Sequence, residues 1–128
     1  MVKTASDKWK DTILKYKKQC QTILQISSNI RHAGVINNYG RTLTGIIKPN
    51  LKPLLKSEEV KHEFFIISTL FSLRKDNVNS LGKLDHIVLK HSKVNIIVFQ
   101  KNDITFYVSI NSKEKNLEKI ISIIKKTI

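Results

Sequence analysis

Residues 83–111 read KLDHIVLKHSKVNIIVFQKNDITFYVSIN, and this stretch decides the fold. It holds three runs rich in β-branched and aromatic residues: Leu84–Leu89, Val94–Phe99 and Ile104–Ile110. His91-Ser92-Lys93 and Gln100-Lys101-Asn102-Asp103 separate them, and connections this short join only antiparallel neighbours. In the third run Ile104, Phe106, Val108 and Ile110 share one face, with Thr105, Tyr107 and Ser109 on the other. The middle run is apolar on both faces, Ile97 and Phe99 against Val94, Ile96 and Val98. An antiparallel strand that is apolar on both sides needs a cover on both sides.

Working outward, a helix opens at Ser6-Asp7, and Trp9, Ile13, Tyr16, Cys20, Ile23, Ser27 and Ile30 follow at spacings of four and three. The spacing predicts about six turns, running to Ser28. A coiled coil would use the same heptad, but a stripe containing Cys and Ser suits packing on a sheet better. Ile30–Ile36, the turn Asn37-Asn38-Tyr39-Gly40 and Arg41–Ile47 predict a hairpin, with Gly34 and Gly45 marking a bulge or a close approach of backbones. Lys48–Lys56, with Pro49 and Pro53, is a connecting loop.

A second helix starts near Ser57-Glu58-Glu59. Val60, Phe64, Ile67 and Phe71 form one apolar stripe, Ile66, Leu70 and Leu73 a second, and Phe65 lies further round. Two stripes cover more than an ordinary core-facing arc, so the expectation is a sheet on one flank and another copy of the chain on the other. Asp76–Gly82 is a polar linker. Asn111 and Glu114 resemble a capping box, and Leu117, Ile120, Ile121, Ile124 and Ile128 stripe a last helix. The expected fold is α+β: one five-stranded antiparallel sheet with helices on both faces, in the order α-β-β-α-β-β-β-α. Its 128 residues fit a single domain, 1–128, with residues 1–6 as a disordered tail.

Composition narrows the partners. The chain is 41% hydrophobic, with 23 Lys+Arg against 10 Asp+Glu and a formal net charge of +13. That balance favours an acidic partner such as nucleic acid, anionic lipid or an acidic protein face. The competing reading is a lysine-rich background, since all the cations but Arg31, Arg41 and Arg74 are lysines. Lys48, Lys52 and Lys56 in the loop, with Lys113, Lys115 and Lys119 near the last helix, could form a basic patch; the alternative is a solvated face. No apolar run approaches the ~18 residues of a membrane span. One cysteine and no apolar leader lead to a cytoplasmic expectation.

Catalytic machinery is not expected. Gly34, Gly40 and Gly45 fit no phosphate-cradling motif, and His32, His62, His86 and His91 are scattered without zinc spacing. Asp85 and His86 should point to opposite faces of a strand. Cys20 lies on a buried stripe, where a thiol is inert. The reading is a protein without catalytic residues, cofactor or metal.

The element order, with Ala33-Gly34-Val35-Ile36-Asn37-Asn38-Tyr39-Gly40-Arg41-Thr42-Leu43, resembles the roadblock family of profilin-like domains from about Trp9 onward. Lys17–Cys20 and Ile30–Val35 resemble stretches in small roadblock-like proteins of ammonia-oxidising archaea. The resemblance implies first and last helices on one sheet face and the central helix on the other. It implies homodimers through Val60, Phe64, Ile67 and Phe71 or the adjacent Ile66, Leu70 and Leu73, with Leu84–Lys90 as edge strand. It further implies a non-catalytic regulator or scaffold for a small GTPase or another protein. A basic nucleic-acid-binding module is the alternative.

Overall fold

The computed structural model describes residues 2–128. Helix α1 (Ala5–Leu24) precedes the hairpin β1 (Ile30–Ile36) and β2 (Thr42–Ile47), then α2 (Ser57–Lys75) and a single turn, α3 (Val78–Leu81). Strands β3 (His86–Lys90), β4 (Val94–Lys101) and β5 (Ile104–Asn111) lead into α4 (Leu117–Thr127). All strand pairs are antiparallel, in the spatial order β2-β1-β5-β4-β3, so the last strand in the chain is the middle one of the sheet.

The expected strand faces are present. Ile97, Phe99, Phe106, Val108 and Ile110 pack with Cys20 and Ile23 of α1 and Ile120, Ile121 and Ile124 of α4. Ile96, Val98 and Tyr107, with Ile36 of β1, pack against Phe64, Ile67 and Phe71 of α2. The sheet is thereby covered by two helices on one side and one on the other, as a doubly apolar meander demands. Asn102 and Asp103 both take positive φ in the two-residue turn between β4 and β5, the backbone that matches strand twist in a tight hairpin.

Helix ends differ from the sequence reading. Thr4 caps α1, its hydroxyl accepting from Asp7 N–H while the Asp7 carboxylate reaches back to Thr4, so residues 4–6 are a cap and first turn rather than a tail. Met1 lies outside the described residues. The helix stops at Leu24, one turn short of Ser28, and Ile30 belongs to β1. Trp9 is exposed, because the first turns of α1 lie outside the packed core.

Helix α4 begins at Leu117, so Asn111 and Glu114 do not cap it. The Glu114 carboxylate instead accepts from Ser27 Oγ (2.5 Å), Asn29 Nδ2 (3.3 Å) and Asn116 N–H (3.0 Å), tying the α1–β1 loop to the start of α4. The bond from Ser27, then that from Asn116, holds this carboxyl below the usual range. Asp76–Gly82 contains the turn α3, whose Leu81 points outward.

Candidate functional site

Helix α2 is built to face two ways. The Glu59 carboxylate accepts Lys56 N–H at 2.9 Å, and Glu58 and Glu59 at the start with Arg74 and Lys75 at the end suit the helix dipole. Phe64, Ile67, Ser68 and Phe71 are buried against the sheet and Val60 is half-buried beside them. On the outer side Phe65 is 59% exposed, Ile66 57%, Leu73 59% and Leu70 36%. The seven side chains expected at a partner interface are therefore divided. Val60, Phe64, Ile67 and Phe71 belong to the sheet cluster, and Ile66, Leu70 and Leu73 remain free. Phe65 joins them; the breadth of the apolar arc was its only signal.

This outer stripe continues into a sheet edge. Leu70 and Arg74 share a hollow with residues 81–87, the entry to β3. Among the described residues strand β3 pairs with β4 alone, leaving its other edge open, and Leu81 is 68% exposed beside it. An apolar helix face next to unpaired strand groups can accept another chain by both packing and backbone hydrogen bonds.

A cleft of about 490 Å³ lies at the other end of α2, between its first turns, the 48–55 loop and the sheet. Tyr107 Oη donates to Glu63 Oε2 at 2.6 Å, and burial, reinforced by that bond, pushes the phenol well above its usual range. The Tyr107 ring meets Phe64 edge-on at a centroid distance of 4.8 Å and His32 at 5.8 Å. Burial lowers the His32 pKa, keeping the imidazole neutral near pH 7. The cleft depends on tertiary placement of a loop, and no motif announced it.

Of the lysines read as a patch, Lys48 reaches Ser28 O, and the 113–116 segment meets the same loop through Glu114. Lys52 lines the cleft, Lys56 opens α2, and Lys119 lies on α4. The six cations are spread over several elements. The Cys20 thiol is fully buried and pushed up to about 11 by desolvation, which disfavours the thiolate a nucleophile needs. Asp85 lies just before β3, so strand alternation does not separate it from His86. Its carboxylate contacts His86 Nδ1 at 3.1 Å and the Lys125 ammonium, whose hydrogen bond is the main cause of its lowered pKa. Among the described residues no three His, Cys, Asp or Glu side chains gather to hold a metal ion, and no helix is long and apolar enough to cross a membrane.

The fold has close counterparts among solved structures. The gliding protein mglB from Thermus thermophilus superimposes with a TM-score of 0.73 at 11% identity, over 99% of this chain and 88% of that one. A roadblock/LC7 domain from Streptomyces avermitilis gives 0.60 at 12% identity, covering 85% and 91%. An MglB described with a tetrameric arrangement gives 0.70 at 8% identity, covering 98% and 86%. The five-stranded sheet and its helices are thus the roadblock fold. No family model matches the sequence, and no curated protein does.

Proposed function

We propose that the chain is a non-catalytic interaction module that pairs with a second copy through the outer face of α2 and the edge of β3. The observation that carries this reading is the exposed row Phe65, Ile66, Leu70 and Leu73 running into an open strand. Contiguous apolar surface of this kind marks an association site. A two-fold axis beside β3 sets the same patch on both copies and continues one sheet into the next. The tetrameric arrangement named for a similar MglB supports self-association here. The resemblance to the roadblock family, with a fold shared with a gliding protein, supports a dimer that regulates or scaffolds a small GTPase or another protein.

Light scattering at tens of micromolar tests the pairing. The wild-type chain should run as a dimer, and Ile66→Asp with Leu70→Asp should run as a folded monomer, because a carboxylate cannot be buried unpaired. A monomeric wild type, or a dimer untouched by both substitutions, would refute it. One observation favours a second reading: Lys8, Lys10, Lys15, Lys17 and Lys18 are exposed along α1. A nucleic-acid-binding role would show as an affinity that falls steeply with salt, and no gel shift at low salt would remove it.

A further inference from the structure

The cleft beside the first turns of α2 is separate from that pairing surface and has its own chemistry. The 48–55 loop contributes Leu51, Leu54 and Leu55, of which Leu54 is 53% exposed and Leu55 36%. Leucines held on a loop with this much open surface leave an apolar wall uncovered. The loop is fastened, not loose: Arg31 Nη2 donates to Lys52 O at 3.0 Å, and the Lys48 ammonium donates to Ser28 O. The cavity is therefore preformed, and its size falls in the range of small-molecule sites, roughly 300–1,000 Å³.

Its polar groups are unbalanced. Three basic side chains, Arg31, Lys52 and Lys93, line it against one acid, Glu63, whose carboxylate accepts the Tyr107 hydroxyl, so basic groups are in excess. The His32 ring also lines the cleft, with its Nε2 edge against Gly34 and Gly45. Apolar surface and an excess of basic groups in one hollow are complementary to a molecule with an apolar body and a negative head.

We infer that this cleft binds a small amphipathic anion, an alkyl or aryl body carrying one carboxylate or phosphate. The body lies along Leu51, Leu54 and Leu55, and the head meets Arg31, Lys52 and Lys93.

Calorimetric titration of the full chain with octyl phosphate and with octanoate, with octyl glucoside as the uncharged comparator, tests the inference alongside amide NMR spectra. The expected result is saturable binding at one site per chain, with amide shifts at His32, Leu54 and Tyr107. The head that binds more tightly assigns phosphate or carboxylate. Lys52→Glu with Lys93→Glu should weaken binding about tenfold or more. Lys17→Glu with Lys18→Glu makes the same change in total charge on exposed α1 positions and should leave it unchanged. Leu54→Glu, at an exposed position, should also abolish binding without unfolding the chain. The inference is overturned by absent saturation, by equally tight glucoside, or by equal losses in the two charge-reversed pairs. Loss on Ile66→Asp with Leu70→Asp alone would move the site to α2 and overturn it too. So would a partner protein that depends on Lys52 and Lys93 while neither anion shifts those amides.

Discussion

Gly34 and Gly45 stand directly opposite one another across the β1–β2 ladder, and the His32 imidazole lies over the space their missing side chains leave. A methyl group on Gly45 would sit 3.2 Å from His32 Nε2, and one on Gly34 3.1 Å from His32 Cε1. The pair of glycines is the seat of this ring, which in turn borders the cleft.

Gly45→Ala should therefore cost about 1–2 kcal/mol in urea unfolding, the penalty of overpacking. In a His32→Ala background the same change should be neutral, or stabilising by about 0.5 kcal/mol through the unfolded chain. The difference between backgrounds is the coupling of ring and glycine. Equal costs in both would show that the ring does not need the gap.

A half-buried imidazole and a buried thiol give stability opposite slopes at the two ends of the pH scale. The His32 pKa is lowered on folding, so below about pH 6.5 the unfolded chain binds the extra proton and stability falls as pH falls. His32→Gln should flatten that arm. The Cys20 pKa is raised to about 11, so its contribution is complete below the free-thiol value and is lost as pH rises from about 9 to 11. Cys20→Ala should remove this part of the alkaline loss, up to ~2–3 kcal/mol, leaving the later loss of the same sign from Tyr107. Native Cys20 should react with a disulfide reagent only as fast as the fold opens.

Two glycines share φ +80° but not their surroundings. A Cβ on Gly40 would stand 2.8 Å from Phe65 N and 2.9 Å from Phe64 O, against the backbone of α2, whereas one on Gly82 meets nothing within 4 Å. Gly82 pairs its φ of 80° with a ψ of 174°, a region essentially reserved for glycine, so Gly82→Ala should cost that backbone strain alone, about 1–3 kcal/mol. Gly40→Ala should cost clearly more, of order 3 kcal/mol or above, since hairpin and helix must separate. Thermal melts of the two variants make the comparison, and similar shifts would contradict the contact.

The two faces of α2 should respond differently to truncation. Phe71→Ala opens a cavity under the sheet and should destabilise by about 3–5 kcal/mol at any protein concentration. Phe65→Ala should change monomer stability by no more than ~0.5 kcal/mol while weakening self-association. Phe64→Asp with Phe71→Asp should unfold the chain instead of only parting a dimer, because both rings are core. Unfolding followed at several concentrations separates these outcomes.

Much of this architecture was legible because alternation and turn chemistry are local. The two-faced β4, the alternating β5 and the Asn37–Gly40 hairpin needed nothing beyond neighbours in sequence. Glu114 was misread because its carboxylate is claimed by Ser27 and Asn29, which only the tertiary fold brings near. The α1 stripe continued through Ser27 and Ile30 on paper, yet the chain turns at Gln25 to place Ile30 in the sheet. Asp85 and His86 were separated by an alternation that does not apply one residue outside the strand. The division of α2 into inner and outer stripes followed from periodicity; which stripe met the sheet did not. The cleft joins residues from both halves of the chain, so no single window of sequence contains it.

Strand β5 is synthesised last of the five yet touches both β1 and β4, while those two share no ladder with each other. A nascent chain that has emerged only as far as β4 holds two hairpins with nothing to join them. Each hairpin alone is marginal in water. Assembly must await residues 104–111, so the step that commits this chain to its native state comes late, with both half-sheets exposed to wrong pairing until then.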